Sequence, residues 1–195
     1  MLAILIAGAF ALMGTLLGTR LAIKVLVSKG YGQLIRDDGP TSHHIKRGTP
    51  TMGGTVIILA VIVGYFAAKI ATGYMPSASA LLLLFLFAGL GCIGFLDDYI
   101  KISKQRSLGL RSKAKMIGQV VVGLIFAILA IGWEDENGRT PITHAISFTR
   151  DLPGTEMPTV LLIIWVLLMI AGASNGVNLT DGLDGLATGA SMMVF

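Results

Sequence analysis

Five apolar runs, each about as long as a lipid bilayer is thick, constrain this 195-residue chain more than any other feature. Crossing ~30 Å of hydrocarbon takes about 20 apolar residues as an α-helix. The runs lie at about 2–23, 52–68, 78–96, 116–133 and 159–175. They are continuous rather than alternating, and in lipid only helices and closed barrels satisfy their own backbone. The expected fold is therefore all-α, a polytopic integral membrane protein with five complete transmembrane helices. The start of a sixth falls at Leu186–Phe195, and 1–195 forms one membrane domain. Charged residues are only 13% of the chain, against about 25% in soluble domains. The net charge of +4 then reflects Lys and Arg held at one membrane face, and no nucleic-acid partner is expected. Cys92 is the single cysteine and lies in an apolar run, which excludes a disulfide framework or a thiolate metal site. The first run lacks the basic start and small-residue cleavage site of a signal peptide, so it is expected to be retained.

Lys and Arg set the orientation. The segment after the first run holds Lys29, Arg36, Lys46 and Arg47. The segment after the third holds Lys101, Lys104, Arg106, Arg111, Lys113 and Lys115. Those after the second and fourth hold only the boundary Lys69, Arg139 and Arg150. The positive-inside rule makes 28–51 and 97–115 cytoplasmic and puts the N-terminus outside. Five crossings return 176–186 to the cytoplasmic face and leave 134–158 as an external, hairpin-like loop. Phe195 ends the chain inside an apolar run with no closing polar segment, as expected of the N-terminal portion of a longer protein.

Three polar clusters are expected on that one face. Asp97-Asp98 stands where the third run stops. Charges commonly end spans, but stop signals are more often Lys or Arg. Adjacent carboxylates repel, so a bound cation or a proton-transfer role explains them better. Mg²⁺ suits such a sparse set, because it takes a few carboxylate oxygens and fills its shell with water and phosphate. Lys101, Lys104 and Lys113 either hold diphosphate oxygens or are the positive-inside signal itself.

In the second cluster Asp181 and Asp184 are three apart, with Asn178 three earlier, so one helical face would carry all of them. Gly176, Gly182 and Gly185 let backbone or ligand come close. Helix-start or turn residues are the plainer reading of the two acids, and the spacing fits no EF-hand, P-loop or dinucleotide fingerprint. The third cluster, Lys46 to Gly54, reads as a turn into the second run, with Lys46 and Thr51 brought near the other acids. His43 and His44 have no partners at ligand spacing and read as loop residues. Gly89, Gly91 and Gly94 read as points of close helix contact. A cation-coupled transporter is the competing class, but its acids would lie at mid-span rather than at one face.

Three stretches carry a resemblance. They are Gly48-Thr49-Pro50-Thr51-Met52-Gly53-Gly54, Asp97-Asp98-Tyr99 with Lys101, and Asn178-Leu179-Thr180-Asp181-Gly182-Leu183-Asp184-Gly185-Leu186. In that order they resemble the phospho-N-acetylmuramoyl-pentapeptide-transferase family, a branch of the polyprenyl-phosphate N-acetylhexosamine-1-phosphate transferases. The resemblance spans essentially the whole chain.

It implies Mg²⁺-dependent transfer of phospho-MurNAc-pentapeptide from UDP-MurNAc-pentapeptide to undecaprenyl phosphate, giving lipid I and UMP. This is the first membrane step of peptidoglycan synthesis, at the cytoplasmic face of the bacterial cell membrane. The implied partners are those two substrates and membrane lipid, and a homodimer is compatible with them. The catalytic acids implied are Asp97, Asp98, Asp181 and Asp184, with Asp98 and Asn178 as metal ligands. Lys46, Thr51 and Lys101 are implied at substrate phosphates, beside Lys113 from the reading of the basic residues, and Asn178, Gly182 and Leu183 on the nucleotide side. A carboxylate serves either as base toward the lipid phosphate or as nucleophile in two steps.

Sister enzymes that use UDP-N-acetylglucosamine share the aspartate pair but usually differ at Pro50–Gly54 and Asn178–Asp181, and they are the alternative. Gln105 stands where many relatives have Lys, so it inherits no phosphate role. The family places a further catalytic aspartate and a His-rich loop beyond these residues, so this portion alone is expected to be inactive.

Overall fold

The computed structural model describes residues 1–32, 49–106, 108–135, 138–147, 151–180 and 185–194. Along the chain run helices α1 (Leu2–Ser28), α2 (Gly54–Thr72), α3 (Ala78–Ser103) and α4 (Ser112–Gly132). Strands β1 (Ala145–Ser147) and β2 (Asp151–Glu156) follow, then helices α5 (Thr159–Thr180) and α6 (Leu186–Val194). α1 to α5 are all long and apolar enough to cross a membrane. The protein is thus a polytopic, all-α membrane protein carrying one small hairpin. Its contacts divide into two compact units, Met1–Lys115 and Met116–Phe195.

The helices run past the apolar segments that define them. The third apolar run stops at Leu96, yet α3 continues to Ser103 and places Asp97, Asp98 and Lys101 on its last two turns. Its 26 residues span about 39 Å, more than the hydrocarbon needs. Capping decides that end. Gln105 turns left-handed at φ 48°, its N–H bonds Ile102 O at 3.2 Å, and Arg106 N–H bonds Lys101 O at 3.1 Å. That is a Schellman closure, and the Gln105 amide adds a bond to Ile102 O at 3.1 Å. α1 ends the same way, with Gly30 at φ 69° and bonds from Gly30 N–H to Val27 O and Tyr31 N–H to Leu26 O.

In the first unit small residues make the seams. Ala60 faces Gly14 at 3.1 Å from where a Cβ would stand, and Val56 fills the space beside Gly18. A Cβ on Gly64 would lie 2.8 Å from Ala7 O and 3.0 Å from Ala11 N. Gly14 and Gly18 on α1, and Ala60, Gly64 and Ala68 on α2, each repeat every four residues. This is the small-xxx-small spacing that lets helix backbones approach in lipid. Of the glycines expected to form close contacts on α3, Gly91 packs against Ile58 of α2, whereas Gly94 faces open space.

The buried apolar side chains among the described residues are correspondingly small: Ala60, Ala68, Ala127 and Ala130, with Leu82, Ile102 and Leu162. Large ones such as Phe10, Leu59, Leu83, Trp165 and Leu168 are exposed. Lipid is as apolar as Leu, so hydrophobicity gives no reason to bury them.

In the second unit α4 and α5 meet where Gly123 leaves room for the Leu167 and Ile170 side chains. The expected hairpin lies between them. β1 and β2 pair antiparallel, Ala145 with Glu156 and Ser147 with Asp151, with an irregular register between. Met157 N–H bonds His144 O at 2.8 Å, and His144 Nδ1 donates to Met157 O at 3.0 Å, closing its open end.

Candidate active site

The acid pair sits on the protruding end of α3. Spacings of three and four residues put Lys101 under both carboxylates, 2.7 Å from Asp97 Oδ2 and 3.0 Å from Asp98 Oδ1. The charge that relieves the repulsion of the adjacent acids is therefore this Lys, within the same helix. Lys101 is thereby held by the acid pair, and a substrate phosphate would have to share it.

The two carboxylates differ in what else they do. Asp97 is 16% exposed, and its Oδ1 accepts the Leu110 N–H at 2.8 Å. Gly109 lies so close that a Cβ there would run into the Asp97 carboxyl group and come 2.6 Å from its carbonyl oxygen. Asp97 thus ties the turn before α4 back to α3. Asp98 is 32% exposed, and its Oδ2 has no hydrogen bond or ion pair among the described residues. Asp97 is occupied; Asp98 has an oxygen to offer.

Past that turn Lys113 and Lys115 stand in the first turn of α4, which has no acidic residue of its own. Cations there oppose the positive end of the helix dipole, an arrangement that an anion would relieve. Lys113 is exposed.

Thr51 and Met52 precede α2. Met52 holds φ 71°, a conformation costing about 1–2 kcal/mol for a residue with a Cβ. Pro50 pairs with Gly32 in an isolated antiparallel bridge, which fixes the chain just upstream of that strain. Thr51 Oγ1 is buried and has no hydrogen-bond partner among the described residues. A strained backbone and a buried hydroxyl without a partner among the described residues thus stand side by side before α2.

In the second unit Asn178 lies in the last turn of α5 rather than in a loop, and is exposed. Lys46, Asp181, Gly182, Leu183 and Asp184 lie outside the described residues. The structure therefore brings together Asp97, Asp98 and Lys101 on α3, and places Thr51, Lys113 and Asn178 on or beside the ends of α2, α4 and α5.

Two groups escaped the sequence reading. The Leu110 N–H carries no signal, since every residue but Pro has one. Gln119 does carry one, as the sole amide in an otherwise apolar fourth run. It is 2% exposed and bonds Ser174 and Asn175 on α5.

The donors fit Mg²⁺ in kind. No group of three or more His, Cys, Asp or Glu able to hold a metal occurs among the described residues. A cation at this end of α3 would take few protein oxygens, such as Asp98 Oδ2. That is the hard, sparse coordination Mg²⁺ accepts.

Comparison with known proteins agrees with this architecture. A signature of phospho-N-acetylmuramoyl-pentapeptide-transferase matches residues 46–58, the stretch containing Thr51 and Met52. A protein of that name from Nocardioides sp. is 66% identical over 197 residues, covering 100% of this chain and 54% of its own length. Those of Streptomyces avermitilis and Cutibacterium acnes are 61% and 60% identical, each covering 98% of the chain and 54% of their own lengths. The chain spans about half the length of the curated relatives it matches. The model of glycosyl transferase family 4 matches residues 78–195, from the start of α3 through the acid pair, Gln119 and the Asn178 stretch. With well over half of the chain matched, it belongs to glycosyl transferase family 4.

Proposed function

We propose that this chain carries much of the active site of a phospho-N-acetylmuramoyl-pentapeptide-transferase in the bacterial cell membrane. An oxygen of undecaprenyl phosphate attacks the sugar-linked phosphorus of UDP-MurNAc-pentapeptide. A new P–O–P link forms, the P–O bond to UMP breaks, and lipid I and UMP result. The observation that carries this reading is the 46–58 signature, whose residues include Met52 at positive φ and Thr51, whose buried hydroxyl has no partner among the described residues.

Phosphoryl transfer needs mainly positioning and neutralisation of charge. Asp98 and Asn178 hold Mg²⁺ in this scheme, and the ion when bound offsets the diphosphate charge. Lys46, Thr51, Lys101 and Lys113 orient phosphate oxygens, while Asp181, Gly182, Leu183 and Asp184 serve the nucleotide side. Asp97 holds the turn that presents Lys113. The N-terminus lies outside, so the three clusters share the cytoplasmic face. Two copies associate as a homodimer in this proposal.

The test is UMP release by the full-length protein in detergent, with Mg²⁺ and undecaprenyl phosphate. UDP-MurNAc-pentapeptide and UDP-N-acetylglucosamine are supplied separately. Release with the first alone is expected. Release only with the second moves the protein to the sister enzymes, and release with neither removes the transferase reading. The 195-residue chain alone is expected to release no UMP.

Thr51→Val gives a sharper test of the clamp. Valine keeps the shape and removes a buried hydroxyl that has no partner among the described residues, so thermal stability should hold or rise slightly. KM for the nucleotide substrate should rise about tenfold, the worth of one hydrogen bond to a charged oxygen. An unchanged KM would take Thr51 out of the site.

A further inference from the structure

Gln119 is the buried polar side chain among the described residues, 2% exposed and two turns into α4. Its Nε2 donates to Ser174 Oγ at 2.9 Å, and its Oε1 accepts from Asn175 Nδ2 at 3.0 Å. Asn175 Nδ2 also donates to Ala171 O on its own helix at 2.8 Å, which holds the amide in place. One turn along α4, Gly123 lets Leu167 and Ile170 approach to 2.9 and 3.3 Å of where its Cβ would be. The two helices thus touch through a shape contact at Gly123 and a directional contact at Gln119.

The directional contact matters because the rest of α5 has no preferred face. From Val160 to Ala173 its side chains are apolar all round, Trp165 N–H apart. Such a helix packs against a neighbour almost equally well in several rotations. Ser174 and Asn175 break that degeneracy, since turning α5 away would leave three polar groups unbonded in an apolar setting. Asn178 follows them by four and three residues, within about 40° and 60° on the helix wheel. Whatever fixes the rotation at Ser174 and Asn175 therefore fixes the direction of Asn178.

We propose that Gln119 is a positioning residue, an amide clip from α4 that sets the rotation of α5 and so aims Asn178 at the nucleotide phosphates. This rests on the transferase reading for what Asn178 does, but not for the clip itself.

Two readouts test it in the full-length protein. Spin labels at Ile117→Cys and Val177→Cys, both exposed positions, in a Cys92→Ser background report the α4–α5 geometry. A single narrow distance is expected for Gln119, and a broadened one for Gln119→Leu. In transfer assays without labels, kcat of Gln119→Leu should fall on the order of a hundredfold, as for a misplaced site group. KM for undecaprenyl phosphate should stay within about twofold. Ser174→Ala, which removes one of the two clip bonds, should give a smaller loss in kcat and guards against a variant that fails to fold.

The double variant Gln119→Leu/Asn175→Leu separates aiming from packing. Replacing two of the three clip residues with apolar groups should restore most of the thermal stability, while kcat stays low and the distance stays broad. Recovery of kcat together with stability would make the clip mere packing and overturn the proposal. So would an unchanged kcat, or an unchanged narrow distance, in Gln119→Leu. A parent protein without transfer activity would overturn the transferase reading instead, and the distance distributions would still decide the clip.

Discussion

Asp98→Asn is expected to lower the transfer rate by roughly a thousandfold or more while the protein folds and expresses as before. The two halves of that expectation have separate causes. The Asp98–Lys101 pair is about one-third exposed on both sides, and exposed pairs three residues apart on a helix contribute only a few tenths of a kcal/mol. Lys101 also keeps Asp97 at 2.7 Å. Stability therefore has little to lose. Function has much to lose, because Asp98 Oδ2 is the carboxylate oxygen of the pair without a partner among the described residues, and an amide brings no charge to a cation or a proton. Rates of UMP release beside circular dichroism melts would check both halves. Near-normal turnover would end the catalytic assignment of Asp98. Asp97→Ala should behave differently, since it strands the Leu110 N–H and loosens the turn, so activity and thermal stability should fall together.

The largest effect on stability is expected at Gly64. A methyl there meets backbone, Ala7 O at 2.8 Å and Ala11 N at 3.0 Å, and backbone in a packed helix cannot swing aside as a side chain can. Gly64→Val should force α1 off α2 and cost about 1–3 kcal/mol, the usual range for overpacking. Gly172→Ala is the control, because no heavy atom lies within 4 Å of its added Cβ. Melting temperatures in detergent should fall for the first and hold for the second. If Gly64→Val melts with the parent, the α1–α2 seam is not formed as described.

Five membrane helices and a hairpin were legible because their signals are local. A run such as Leu2–Ile23 names its own environment, and turn formers in 134–158 name theirs. Helix ends were less legible. Asp97 reads as the close of a span by hydropathy, but the helix ends where a Schellman closure can form, at Lys104 and Gln105. The α1–α2 seam was also written in the chain, in the four-residue spacing of Gly14 and Gly18 and of Ala60, Gly64 and Ala68.

Residue types and their spacing along the chain were enough to establish a polytopic membrane protein, to single out Asp97 and Asp98, and to mark the Thr51 and Asn178 stretches. Partners distant in sequence could not be read that way. Nothing local tells that Asp97 is tied to Leu110 thirteen residues on while Asp98 keeps an oxygen open among the described residues. Nor does anything local tell that Gln119 reaches Ser174 across fifty-five residues. Hydropathy and helical spacing depend on neighbours in the chain, whereas a hydrogen bond between two helices depends on which faces packing brings together. That choice exists only once the helices have met.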